Sequence, residues 1–91
     1  MQIQIEKQFV VSTAHITFQD SVNLLDMCHD KASIYDLYPY GYLIHVGKYD
    51  EYRTLSLAFQ KLFHLAADYN CEWIHLDRDG PVYEELAIFN W

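Results

Sequence analysis

Between residues 55 and 69 the apolar side chains Leu55, Ala58, Phe59, Leu62, Leu65, Ala66 and Tyr69 recur at the 3.6-residue period of an α-helix. Short runs of another kind flank this stripe. Tyr42-Leu43-Ile44-His45-Val46, closed by Gly47, and Glu72 to Asp77, carrying Trp73, Ile74 and Leu76, have the length and content of strands. A helix with one apolar face, set between strands, must lay that face on a sheet, and this puts the chain in the α/β class. Asp50 or Thr54 is placed to cap the start of the helix, and Asn70 to end it in the left-handed conformation.

The first third of the chain repeats the theme. From Gln2 to Thr13 the sequence first alternates, with Ile3 and Ile5 apolar between Gln and Glu, and then becomes the continuous run Phe9-Val10-Val11, a strand buried on both faces in its second half. Thr17 offers an N-cap hydroxyl, with Asp20 in the capping-box position. In the helix that follows, Phe18, Val22 and Leu25, flanked by Leu24 and Cys28, share one face, and Gln19, Asn23, Asp26 and Asp30 fall away from it. Pro39 and Gly41 punctuate the connection to the next strand. At the far end Asp77-Arg78-Asp79-Gly80-Pro81 is turn chemistry, and Leu86-Ala87-Ile88-Phe89 reads as a last strand.

The expected order is therefore β-α-β-α-β-β, a four-stranded mixed sheet with two packed helices. Its strands are joined in parallel by right-handed crossovers until the final tight turn reverses the last one. Ninety-one residues hold one such core, so residues 1–91 are expected to form a single α/β domain.

Thirteen acidic against six basic side chains leave a formal charge of −7, which disfavours a nucleic acid or an anionic membrane surface as partner. No apolar run approaches the ~20 residues that span a bilayer, and the first residues are too polar for a secretory signal, so a cytoplasmic protein is expected. Cys28 and Cys71 are isolated and lack metal-binding or redox spacing; they read as reduced thiols, and no cofactor or metal site is expected.

In sheets of this kind ligands gather beyond the carboxyl ends of parallel strands. That edge would receive Ser12, Thr13 and His15 from the first strand, Gly47 and Lys48 from the second, and Asp77, Arg78 and Asp79 from the third. His15 oriented by Asp77 or Asp79 could serve as a general base, with Arg78 as the cation, and Ser12 and Thr13 as ligand contacts. The same residues also suit a helix cap and a turn. His29, His45, His64 and His75 form no recognisable ligand set, and there is no Gly-rich phosphate loop, nucleophile elbow or H-E-x-x-H.

Six of eight tyrosines, Tyr35, Tyr38, Tyr40, Tyr42, Tyr49 and Tyr52, crowd into residues 35–52, and some must be partly exposed because a domain this small cannot bury all fifteen of its aromatic residues. Tyr35, Tyr38, Tyr40, Tyr49 and Tyr52, with the terminal Trp91, are the candidate interface, since such rings combine apolar area with a polar tip. The favoured reading is a non-catalytic binding or regulatory module, a homodimer or the partner of another protein. The rivals are a small enzyme or ligand-binding protein using His15, Asp77, Asp79 and Arg78, and an acidic mimic of nucleic acid.

Ser12-Thr13-Ala14-His15-Ile16-Thr17, Cys71 to Pro81 and the closing Phe89-Asn90-Trp91 resemble a small bacterial family of unknown function. Its members are often encoded on plasmids, integrons and other mobile elements. The resemblance implies an accessory role but carries over no activity.

Overall fold

In the computed structural model, which describes residues 3–28, 33–37 and 39–91, the chain opens with strand β1 (Gln8–Ser12) and a single 3-10 turn at Thr13–His15. There follow helix α1 (Phe18–Met27), strands β2 (Ile34–Asp36) and β3 (Gly41–His45), and a 3-10 stretch, Val46–Tyr52. Helix α2 (Leu57–Asp68) and strand β4 (Trp73–Asp77) complete the set. The sheet has the order β1-β4-β3-β2; β1 and β4 are parallel, and the other two pairs are antiparallel. The α/β class and the four-stranded mixed sheet are thus as expected. His29, Asp30 and Tyr38 lie outside the described residues.

The order of elements differs from the expected one. The fourth strand is Ile34–Asp36, paired in a hairpin with β3, and not Leu86–Phe89. Leu37 N–H bonds Gly41 carbonyl at 2.9 Å and Tyr40 N–H bonds Leu37 carbonyl at 2.8 Å, closing the turn. Gly41 makes it possible: its φ is +148°, and a Cβ there would lie 1.8 Å from the Leu76 carbonyl oxygen. The carboxy-terminal residues instead run across the outer edge of β1. Ser12 N–H donates to Pro81 carbonyl at 2.9 Å, and Phe89 N–H to Ala14 carbonyl at 2.8 Å. Within the run 86–89 only Leu86 is buried in the core.

Alternation along the strands assigns the two faces of the sheet. Val11, Ile34, Ile44, Ile74 and Leu76 point to one side and are buried under Leu24 of α1 and Phe59, Leu62, Phe63 and Ala66 of α2. Both helices therefore cover one face. Leu55 and Tyr52 close the core from the segment before α2.

The cap of α2 is Ser56, six residues past Asp50 and two past Thr54; its hydroxyl accepts Phe59 N–H at 3.2 Å. Asn70 has φ 59°, the left-handed end expected of it. Helix α1 begins with the expected capping box, Thr17 Oγ1 accepting Asp20 N–H at 3.0 Å and Asp20 Oδ2 accepting Thr17 N–H at 3.1 Å.

The rotation of α1 overturns the sequence reading. Phe18 is 59% exposed, Val22 and Leu25 are exposed too, and Leu24 and Asp20 face inward. A polar tether outweighs the apolar stripe here. The carboxylate of Asp20 also accepts the backbone N–H of Ser56 at 3.0 Å and its hydroxyl at 2.5 Å, so one buried acid joins the first turns of both helices.

Candidate functional site

The reversal of β3 redistributes the residues expected at the strand carboxyl ends. Ser12 and Asp77 remain together, as register partners at the ends of β1 and β4, with Gly41 across from Asp77. Gly47 and Lys48 follow the end of an antiparallel strand and so leave from the opposite edge.

His15 is 1% exposed and both ring nitrogens are engaged by backbone. Nδ1 donates to Ala87 carbonyl at 2.7 Å, and Nε2 accepts Tyr83 N–H at 2.9 Å, an arrangement that requires the neutral Nδ1–H tautomer. Its ring stacks on Tyr83 at 6.1 Å between centroids. Ser12 Oγ accepts Ala14 N–H at 3.0 Å and caps the 3-10 turn. Asp77 Oδ1 accepts Asp79 N–H at 2.9 Å and Asp77 carbonyl accepts Gly80 N–H at 2.9 Å, which builds the following turn. Arg78 and Asp79 are exposed neighbours at 3.8 Å, and the guanidinium lies 5.5 Å from the centre of the Tyr40 ring.

A cleft of about 240 Å³ opens at this edge, with Thr13, Tyr40, Tyr42, Arg78 and Trp91 in its wall. Ser12, His15, Asp77 and Asp79 are not part of that wall. Among the described residues no three His, Cys, Asp or Glu side chains converge as metal ligands.

The tyrosines expected on one surface separate. Tyr35 and Tyr40 are exposed. Tyr49 packs edge-on against Phe63 at 5.3 Å. Tyr52 is a core ring, not a surface one, and shares a hydrogen bond of 2.7 Å with Ser33 Oγ. Burial raises the phenol pKa of Tyr52 above its ordinary value, partly offset by that hydrogen bond. Burial, followed by the nearby Cys28, does the same at Tyr42. The Cys28 thiol is pushed up by burial and then by Asp36. Trp91 is half exposed, donating Nε1–H to Ile16 carbonyl at 2.9 Å and meeting Phe18 edge-on at 5.7 Å.

Sequence reasoning missed the face of the sheet opposite the helices. Trp73 and His75 of β4 alternate with the buried Ile74 and Leu76, and register places His45 beside Trp73 and Leu43 beside His75. Tyr35 on β2 extends the row by pairing with Leu43, and Val10 on β1 extends it on the other side. These side chains are half-buried, except Tyr35, which is exposed. Trp73 is the centre: His45 meets it edge-on at 4.8 Å, Tyr35 lies 5.9 Å away, and its Nε1–H donates to the Glu6 carboxylate. The signal was available in the alternation of Trp73, His75 and Asp77 against Ile74 and Leu76. It could be used only with the knowledge that both helices lie on one face.

A second concavity, about 800 Å³, lies between the outer edge of β1, α2 and the carboxy-terminal segment. Phe9, Leu65, Tyr83 and Leu86 give it an apolar floor, with Lys7 and Lys61 at its margin.

Comparison with curated proteins and with solved structures finds no match. A family model does match, over residues 8–91, and its description is that of a C-terminal domain in a family of unknown function. This agrees with the resemblance carried by residues 12–17, 71–81 and 89–91, and the chain belongs to that family, DUF5983.

Proposed function

We propose that this domain is a non-catalytic binding module that acts through contact with another protein, and that the sheet face centred on Trp73 is its contact surface. The observation that carries the reading is the row Tyr35, Leu43, His45, Trp73 and His75: rings and one aliphatic group on the strand-supported face opposite the helix layer. Aromatic side chains of this kind concentrate binding energy because they offer large contact area with little entropy to lose. Supporting it from the other direction, His15, Ser12 and Asp77 each hold backbone groups in place, and neither nitrogen of the imidazole is left to take a substrate proton. An accessory role on mobile elements, modulating a host protein, fits a module of this type.

The test is site-specific photo-crosslinking in cells that express the chain. A photoreactive residue at Tyr35 or His75 should give discrete higher-mass adducts, and one at the exposed Arg53 should not. Adducts equally strong from all three positions, or from none, would overturn the assignment of the face. Trp73→Ala should abolish the Tyr35 adduct while the far-ultraviolet circular dichroism stays that of the native protein.

A further inference from the structure

The amino-terminal arm, residues 3–7, has the pattern of a strand without the partner of one. Ile3 is 75% exposed and Ile5 82%, and the alternation Ile-Gln-Ile-Glu continues the period of β1, yet regular pairing begins only at Gln8. The same strand is the outer edge of the sheet, next only to β4.

Its backbone groups divide cleanly between the two sides. Lys7 carbonyl accepts Glu72 and Trp73 N–H, so odd-numbered residues turn their backbone toward β4. Ser12 N–H reaches Pro81 and Val10 carbonyl accepts the Tyr83 hydroxyl at 3.1 Å, so even-numbered residues turn theirs outward. The carboxy-terminal segment thereby covers the outer edge at residues 10 and 12, and no other described residue pairs with it at Gln8 or along the arm. Open strand edges are templates for further pairing. Beside this open stretch lies the apolar groove of Phe9, Leu65, Tyr83 and Leu86.

We infer that the occupant of this edge is a second copy of the chain, paired β1 to β1 in antiparallel fashion about a two-fold axis normal to the sheet. Parity supports the match. When outward-facing even residues of the two copies pair, odd residues of both fall on the helix side, and Ile3 and Ile5 of each arm lie along the groove that already holds Phe9 of the other. One chain thus contains both the unpaired apolar strand and the unpaired apolar edge, the self-complementarity that a two-fold interface demands. Charge favours the location as well. Two chains of formal charge −7 repel, and along the arm and groove Lys7 and Lys61 balance Glu6 and Glu85, so the surfaces that meet are locally near neutral. The result is one eight-stranded sheet with both helix layers on one side and both Trp73 surfaces on the other.

Sedimentation velocity of the full chain, loaded at about 200 μM, populates any dimer with a Kd up to about 100 μM. The wild type should sediment as a dimer, and the double variant Ile3→Asp/Ile5→Asp should associate more than about tenfold more weakly with an unchanged circular dichroism spectrum, because both side chains are exposed in the isolated chain. Hydrogen exchange adds an independent readout: the outward Gln8 amide should be protected in the wild type and fast in the double variant. A monomeric wild type, a dimer that survives the double substitution, or a Gln8 amide that exchanges freely in the dimer would each overturn the inference. Tyr35→Ala, on the far edge strand β2, should leave the dimer intact, so failure here and failure of the proposed contact face are separate results.

Discussion

Replacing Asp20 should damage this fold more than replacing Asp26, the exposed acid of α1, because the Asp20 carboxylate organises two helix starts at once. It is 2% exposed and accepts Thr17 N–H at 3.1 Å, Ser56 N–H at 3.0 Å and Ser56 hydroxyl at 2.5 Å. Hydrogen bonds to a charged acceptor contribute about 1.5–3 kcal/mol each, and losing a cap costs about 1 kcal/mol. The three bonds are not additive, since Ser56 can still cap α2 alone through Phe59 N–H. A loss of about 3–5 kcal/mol for Asp20→Ala is the working figure, a large part of the roughly 5–15 kcal/mol that holds a small domain together. Asp20→Asn keeps one acceptor oxygen but turns an amide N–H₂ toward a donor, and about 2 kcal/mol is expected. In a domain of this size that is a fall of roughly 8–16 °C in thermal midpoint. Urea unfolding followed by circular dichroism measures both, with Gln19→Ala, an exposed neighbour, as the control that should change little. The double variant Asp20→Ala/Ser56→Ala should lose much less than the sum of the singles, a coupling above about 1 kcal/mol. If Asp20→Ala costs under about 1 kcal/mol, or the coupling is absent, the carboxylate does not join the helices and the explanation for the rotation of α1 fails.

Gly41→Ala should leave little folded protein at 25 °C, because its Cβ would collide with the Leu76 carbonyl, whereas Gly47→Ala meets only the movable His45 ring; soluble yield and thermal midpoint distinguish the two. His15→Ala removes two bonds to the carboxy-terminal segment, so limited proteolysis should cut within residues 82–91 while the sheet stays protected; retained protease resistance there would argue against the role assigned to the imidazole. The phenol pKa values of Tyr42 and Tyr52 are raised in the folded state, so their contribution to stability is complete below about pH 10, the unfolded value, and is lost as pH rises through the higher folded values. Denaturation midpoints at pH 8 and 11 should show that loss, reduced in Tyr52→Phe.

Much of α2 could be read directly. Phe59, Leu62 and Ala66 are buried at the spacing that announced them, Leu55 is buried just ahead of the helix and not in it, and Asn70 takes the left-handed conformation that its type favours. Local chemistry wrote those features, and local chemistry is what a sequence displays. Helix α1 shows where this ends: its cap is legible in Thr17 and Asp20, but its rotation is set by Ser56, thirty-six positions away. The run Leu86 to Phe89 has strand composition, yet His15 takes Ala87 carbonyl and Tyr83 N–H, and the segment is bound crosswise. For the candidate site, one strand direction decided most of the outcome. With β3 reversed, Lys48 leaves from the far edge, and Asp77 gains Gly41 as its neighbour instead. The Trp73 face was written in plain alternation but became meaningful only once both helices were known to share the other side.

The parallel pairing of β1 with β4 has a consequence in time. Lys7 and Glu72, which meet at the start of that pair, are 65 positions apart, so the first strand is made long before the strand that completes it. At roughly 5–20 residues per second, the wait during synthesis is about 3–13 s, many orders longer than the microseconds in which the β2–β3 hairpin or the turns of α2 can form. Throughout that interval Phe9, Val10 and Val11 emerge from the ribosome with no sheet to join. The late central strand makes this a domain that folds from its middle outward and closes on β1 last, with β1 as the segment a chaperone or a sister chain meets while its partner strand is still to come.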